Sequence, residues 1–168
     1  MSSVAAPIAV CIFIYGMVQA FVGDLTTMTI KNSLVLFLIV AYGILAPSAG
    51  LPFEVILHSA FAAVLVLVGG FVLFLQGGIG AGDVKLAAAA ALWLGVDQTF
   101  AFLVHTALFG GMLTVVLLAV RRIHLPGALE KVAWVRRLHD RQTGVPYGIA
   151  LALAALAVLP TTQWLQLM

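Results

Sequence analysis

Gly77-Gly78-Ile79-Gly80-Ala81-Gly82-Asp83-Val84-Lys85-Leu86, continued by Ala87 to Ala91 and Leu92-Trp93-Leu94-Gly95-Val96, decides how this chain is threaded. The glycine-rich opening reads as a loop, and the alanine-rich remainder as a helix whose small side chains let neighbouring backbones approach. Val84 to Val96 is 13 residues long, which at about 1.5 Å per residue falls short of a hydrocarbon core of about 30 Å. Whether it counts as a crossing fixes the sidedness of everything around it.

Five other apolar runs flank it, at Val4 to Val22, Leu34 to Ala46, Val55 to Leu75, Thr99 to Val120 and Tyr147 to Leu167. With Val84 to Val96 included there are six, and the loops after the first, third and fifth share one side. Those loops hold Lys31, Lys85 and the cluster Arg121, Arg122, Lys131, Arg136, Arg137 and Arg141, which is all 8 Lys and Arg of the chain. The other loops, around Pro47 to Glu54 and Asp97, hold none, and neither do the termini. The positive-inside rule then puts the basic loops in the cytoplasm and both termini outside. Omitting the fourth run would divide the basic residues between the two sides, so it is retained as a short or tilted crossing. The expected fold is all-α: a polytopic membrane protein of six transmembrane helices with short loops, residues 1–168 forming one integral-membrane unit.

Composition agrees. Of the 168 residues 64% are hydrophobic and 8% charged, against about 25% charged in soluble domains, and the mean hydropathy is +1.20. A soluble monomer is excluded. The net charge of +2 is small and only one loop is basic, a loop suited to a membrane surface, so no nucleic-acid partner is expected. Cys11 is the one cysteine, which excludes an intrachain disulfide or cysteine-based zinc site; in the first apolar run it is expected to be buried. Val18-Gln19-Ala20 loosely resembles a signal-peptidase site, but no Lys or Arg precedes the run, so a cleaved leader is not expected.

On this topology Asp24 follows the first span and Asp83 immediately precedes the fourth, both at the cytoplasmic edge. Carboxylates at a membrane boundary are costly unless paired or hydrated, so two at one depth point to a site. Capping or ending a helix is the bland reading of each. Gly77, Gly78, Gly80 and Gly82 shift the balance, because a backbone bare of side chains lets an extended peptide approach Asp83. Asp83 falls where a helix N-cap is expected, and the positive helix end there favours its charge. Asp24, near the end of the first span, meets the opposite dipole. Two carboxylates sharing one proton are what a water-activating aspartyl protease needs, with Asp83 expected as base and Asp24 as acid.

Gly80-Ala81-Gly82-Asp83, followed by an alanine-rich helix, resembles the GxGD motif of the type IV prepilin peptidases, the membrane aspartyl proteases of bacterial and archaeal pilus systems. Asp24-Leu25-Thr26-Thr27-Met28-Thr29-Ile30-Lys31-Asn32 resembles the family's other catalytic stretch, with Lys31 in place of the usual proline. Pro146-Tyr147-Gly148 resembles a third signature, here a structural motif opening the last span. The resemblance implies Asp24 and Asp83 as catalytic residues, supported by Gly80, Gly82 and Lys85. It implies cleavage of a prepilin on the cytoplasmic side of its leader, just before the substrate's hydrophobic segment. Long family members carry a cysteine-bearing insertion associated with N-methylation. Here the first cytoplasmic loop has no cysteine, so the chain resembles the short, protease-only kind of the tight-adherence (Flp-type) pili. No metal, cofactor or methyltransferase activity is then expected, and the partners are a Flp-type prepilin, the inner-membrane bilayer and the pilus-assembly machinery. Presenilin and signal peptide peptidase share GxGD but pair it with a Tyr-Asp motif that Phe21-Val22-Gly23-Asp24 does not reproduce.

Other polar residues have plainer readings. Lys85 either serves Asp83 or an acidic substrate residue, or snorkels to the interface. Gln19 and Gln76 are expected to hydrogen-bond between helices, and Gly16 and Ala20 to form a small-residue packing face. His58 and His105 have no acidic or cysteine neighbour at ligand spacing. His124 and His139 belong to a basic loop attracted to anionic headgroups, with one interfacial helix predicted over Leu129 to Leu138. Trp93 and Trp164 are expected in the external aromatic belt. A small transporter using Asp24 and Asp83 as a proton or cation relay, and a non-catalytic pilus-assembly subunit, are the readings from other classes.

Overall fold

The computed structural model describes residues 2–168, and every regular element among them is helical. Helices α1 (Ser2–Thr27), α2 (Asn32–Ser48), α3 (Phe53–Leu75), α4 (Ala81–Leu94) and α5 (Val96–Val120) are followed by two short helices, α6 (Gly127–Glu130) and α7 (Ala133–His139). Then come α8 (Tyr147–Val158), a 3₁₀ turn (Leu159–Thr161) and α9 (Gln163–Gln166). Four segments are long and apolar enough to cross a bilayer: Val4–Thr27, Phe53–Leu75, Val96–Val120 and Tyr147–Gln166. The helices at the second and fourth predicted crossings have 17 and 14 residues. The last predicted crossing is not one helix, since Pro160 sits in the 3₁₀ turn that interrupts it.

Helix α4 is short because it is central. It packs against α2, α3, α5 and α8, and Leu86 to Ala91 are all buried, so the alanine run serves close packing as expected. Gly95, at φ 84°, turns the chain directly into α5, a backbone angle that a residue with a Cβ adopts only at a cost. Helix α1 lies along α8 and α2; a Cβ on Gly16 would come within 2.6 Å of Leu38 Cδ2, so Gly16 is core packing too.

The outer helices invert the usual arrangement. Of α3 only Ser59 and Ala62 are buried, while Phe61, Leu65, Val68 and Phe71 are more than half exposed, a surface suited to acyl chains. Cys11 is on such a surface, exposed rather than buried, because α1 meets its neighbours on one side only. Gln19 and Gln76 are exposed as well.

Trp93 and Trp164 form no aromatic belt. Each is 1% exposed, and with Phe13 and Tyr42 they build a core cluster with ring centroids 5.4 to 6.0 Å apart. The reason is hydrogen bonding: Trp93 Nε1 donates to the Leu38 carbonyl at 3.0 Å and Trp164 Nε1 to the Trp93 carbonyl at 2.7 Å. An indole can be buried once its N–H has a partner. The interfacial segment is two helices, not one over Leu129 to Leu138, with a break at Lys131 and Val132.

Candidate active site

Helix α1 ends and α4 begins at one end of the bundle, and there Asp24 and Asp83 line a single cavity of about 500 Å³. Its wall is completed by Met28, Thr29 and Ile30, by Gly80 to Gly82, and by Gly144 to Pro146. Three stretches far apart in sequence therefore meet, and they are the three whose motifs stood out.

The Asp24 stretch is shaped by where its helix stops. Thr26 and Thr27 hydroxyls donate back to the carbonyls of Val22 and Gly23 at 2.7 Å, and Met28 leaves the helix with φ 53°. A left-handed non-glycine residue costs about 1 kcal/mol and clusters at functional sites. Lys31 then holds φ −69° and ψ 132° as the residue before α2. That φ is the one a proline ring would impose, so Lys31 holds a backbone angle compatible with the proline it replaces. The segment carries Ile30 inward, where it meets the other two stretches: a Cβ on Gly82 would lie 3.3 Å from Ile30 Cβ, and one on Gly148 2.9 Å from Ile30 Cδ1.

At Asp83 the helix start differs from expectation by three residues. Gly80, in extended conformation, precedes α4, so Asp83 is the third helical residue. A carboxylate there reaches back to the backbone N–H of the residue before the helix, here Gly80. The glycines at 80 and 82 follow from this. A Cβ on Gly80 would stand 2.9 Å from Asp83 Oδ2 and one on Gly82 would crowd Ile30, whereas the intervening Ala81 is exposed. Lys85 lies outside the cavity lining: its Nζ donates to Asn32 Oδ1 at 3.1 Å, fastening the first turn of α4 to that of α2.

Asp24 is 4% exposed and meets a group that its own stretch does not reveal. The backbone N–H of Gly148, in the first turn of α8, donates to its Oδ2 at 2.7 Å. The positive end of α8 thus faces Asp24, and an aimed N–H interacts more strongly with a charged carboxylate than with a neutral one. Pro146 lines the cavity, Tyr147 seats its ring against Gly110 of α5, and Gly148 approaches so closely that a Cβ would lie 2.8 Å from Asp24 Oδ2. Asp83 lies outside the four long apolar segments. Burial pushes its carboxyl up, to about 6, with the negative charge of Asp24 adding to the rise and the bond from Gly80 opposing it.

Two arginines hold the third stretch in place. Arg121, 8% exposed at the end of α5, donates through Nε to the Leu138 carbonyl at 2.7 Å and through Nη2 to the Gly144 carbonyl at 3.0 Å. Arg137 Nη1 donates to the Thr26 carbonyl of α1 at 2.7 Å. Charge placement in the sequence marked both as members of a solvated basic loop, and neither their carbonyl partners nor Ile30 carried a signal.

An all-helical membrane protein with two carboxylates on one small cavity at a helix end is the class so defined. The chain belongs to the type IV leader peptidase family, whose profile matches residues 11–115, a range that contains both aspartates. No curated protein and no solved structure matches the chain. Gly148 lies beyond the matched range, so its bond to Asp24 is an independent observation.

Proposed function

We propose that the chain is an aspartyl endopeptidase that removes the leader of a Flp-type prepilin at the cytoplasmic face of the inner membrane, with Asp24 and Asp83 as its catalytic pair. The observation that carries this is the shared cavity of the two carboxylates at the end of α1 and start of α4. Membership of a leader peptidase family supports a prepilin-class substrate. The distribution of Lys and Arg supports six crossings with both termini outside, α2 and α4 being short, the fourth crossing running from Val84, and the cavity on the inside. A prepilin's scissile bond, between a cytoplasmic leader and an apolar segment in the bilayer, then lies at the depth of the cavity. The glycine-lined approach admits an extended backbone.

The bond from Gly148 favours Asp24 as the charged partner and the raised Asp83 as the protonated one, which reverses the roles expected from the position of Asp83 at a helix start. In that arrangement Asp24 takes a proton from water as its oxygen adds to the scissile carbonyl, and Asp83 donates a hydrogen bond to the carbonyl oxygen. Proton return to the leaving nitrogen breaks the C–N bond, giving a leader carboxylate and a new amino terminus. The pair requires one proton, so for the free protein kcat/KM falls as pH rises through about 6, where Asp83 ionises. A pH–rate profile on detergent-solubilised protein checks this, and a profile still rising from pH 6 to 8 contradicts the assignment.

Co-expression with a Flp-type prepilin, read by gel shift and N-terminal sequencing, tests the function itself. Cleavage immediately before the apolar segment is the expected result. A stably inserted protein that leaves every prepilin intact, while passing protons or cations across proteoliposomes, overturns it in favour of a relay.

A further inference from the structure

Beside the carboxylate cavity, at the same end of the bundle, the chain between α5 and α8 folds over a second and larger cavity, of about 1060 Å³. Its lining holds six Lys or Arg against two carboxylates, Glu130 and Asp140, so its field is strongly positive. The Lys and Arg residues there divide into two sets. Arg121, Arg137 and Arg141 donate to backbone carbonyls and hold the loop together. The head groups of Arg122, Lys131 and Arg136 make no such bond among the described residues and remain available to a ligand.

We propose that this cavity binds the phosphate-bearing headgroup of an anionic phospholipid. Planar guanidinium groups match phosphate oxygens in pairs, and an ammonium group adds a point charge. Ile123 and Leu125 line the same cavity, and Ile123 is 67% exposed directly after α5, an apolar helix of crossing length. A ligand that joins phosphate to acyl chains uses both kinds of lining, whereas a free phosphate ion uses only one. Leu129 and Trp134, on α6 and α7, are exposed neighbours in sequence of the lining residues Glu130 and Ala133 and add apolar surface to this segment. A diffuse attraction of the basic loop to a charged surface needs no cavity; a defined site retains its lipid when the membrane is removed.

The test uses the full chain reconstituted in nanodiscs of phosphatidylcholine with graded phosphatidylglycerol. Lipid retained after release into detergent is counted by native mass spectrometry. One phosphatidylglycerol per chain is expected to remain, and inorganic phosphate at millimolar concentration is not expected to displace it. The triple variant Arg122→Gln, Lys131→Gln, Arg136→Gln changes exposed positions only, and it is expected to bind about 100-fold more weakly. Equal retention by the variant overturns the proposal, as does loss of all lipid on release. Displacement by inorganic phosphate shows a free-anion site instead. Displacement of the lipid by an acidic peptide shows a peptide site instead. The readout does not depend on proteolysis, so it stands whatever the outcome of the prepilin experiment.

Discussion

Asp24→Asn and Asp83→Asn are each expected to reduce prepilin cleavage by about 10²–10⁴-fold, the contribution of a positioned acid or base, with membrane insertion unchanged. An amide has nearly the shape of a carboxylate, and an asparagine at 24 still offers an oxygen to the Gly148 N–H. What it cannot do is take or give a proton. On the proposed mechanism the two carboxylates form one unit, so the double variant is expected to lose no more than the worse single one. Stability moves the other way at Asp83. Its folded-state pKa, raised from 3.8 to about 6, means that the folded protein holds this proton more tightly than the unfolded chain. The stabilising contribution is full below 3.8 and is lost as pH rises through about 6, so above that pH the ionised group opposes folding. Thermal unfolding at pH 7.5 should therefore give Asp83→Asn a higher midpoint than wild type, with the difference disappearing under strongly acidic conditions. Two variants that both still cleave remove the aspartyl mechanism, and a lowered midpoint for Asp83→Asn makes that residue structural.

That division between activity and stability bears on what the sequence makes legible. The apolar runs placed α1 to α5 and the start of α8, though not the break in the last run, because lipid demands long apolar faces and turns demand Pro and Gly, signals that are local. Asp24 and Asp83 were equally legible, since charge in an apolar chain is scarce and both fell at one end of it. The failures share a cause. Trp93 and Trp164 were assigned to the membrane interface on the habits of their residue type, while their burial depends on the carbonyls of Leu38 and Trp93, which only tertiary packing supplies. The dipoles of their own helices are likewise only part of what the two carboxylates meet: the end of α8, 124 residues further along the chain from Asp24, adds an N–H that no local reading contains. Arg121 looked like one more solvated cation because its span end is where cations collect, yet it is buried and shared between Leu138 and Gly144.

Gly148→Ala should lower kcat for prepilin cleavage by about 100-fold, the scale on which a misplacement near 1 Å is felt at a catalytic centre. KM should change little, since the cavity walls at Gly80, Gly82 and Thr29 are untouched. Helix propensity alone predicts the opposite sign, because alanine in place of glycine favours a helix by up to about 1 kcal/mol. Sterics override it here. The new methyl group would lie 2.8 Å from Asp24 Oδ2, 3.0 Å from Asp24 Cβ and 2.9 Å from Ile30 Cδ1. Two of these three neighbours belong to the carboxylate residue, so relief comes from turning Asp24 or sliding α8, and either breaks the 2.7 Å bond. Gly144 provides the control. It lines the same cavity, but a Cβ there meets nothing within 4 Å, so Gly144→Ala should cleave as wild type does. Loss of cleavage in Gly148→Ala alone ties the rate to the contact between α8 and Asp24. Equal activity in both would mean that the N–H of Gly148 is dispensable, and that Asp24 keeps its place and its charge by the geometry of α1 alone.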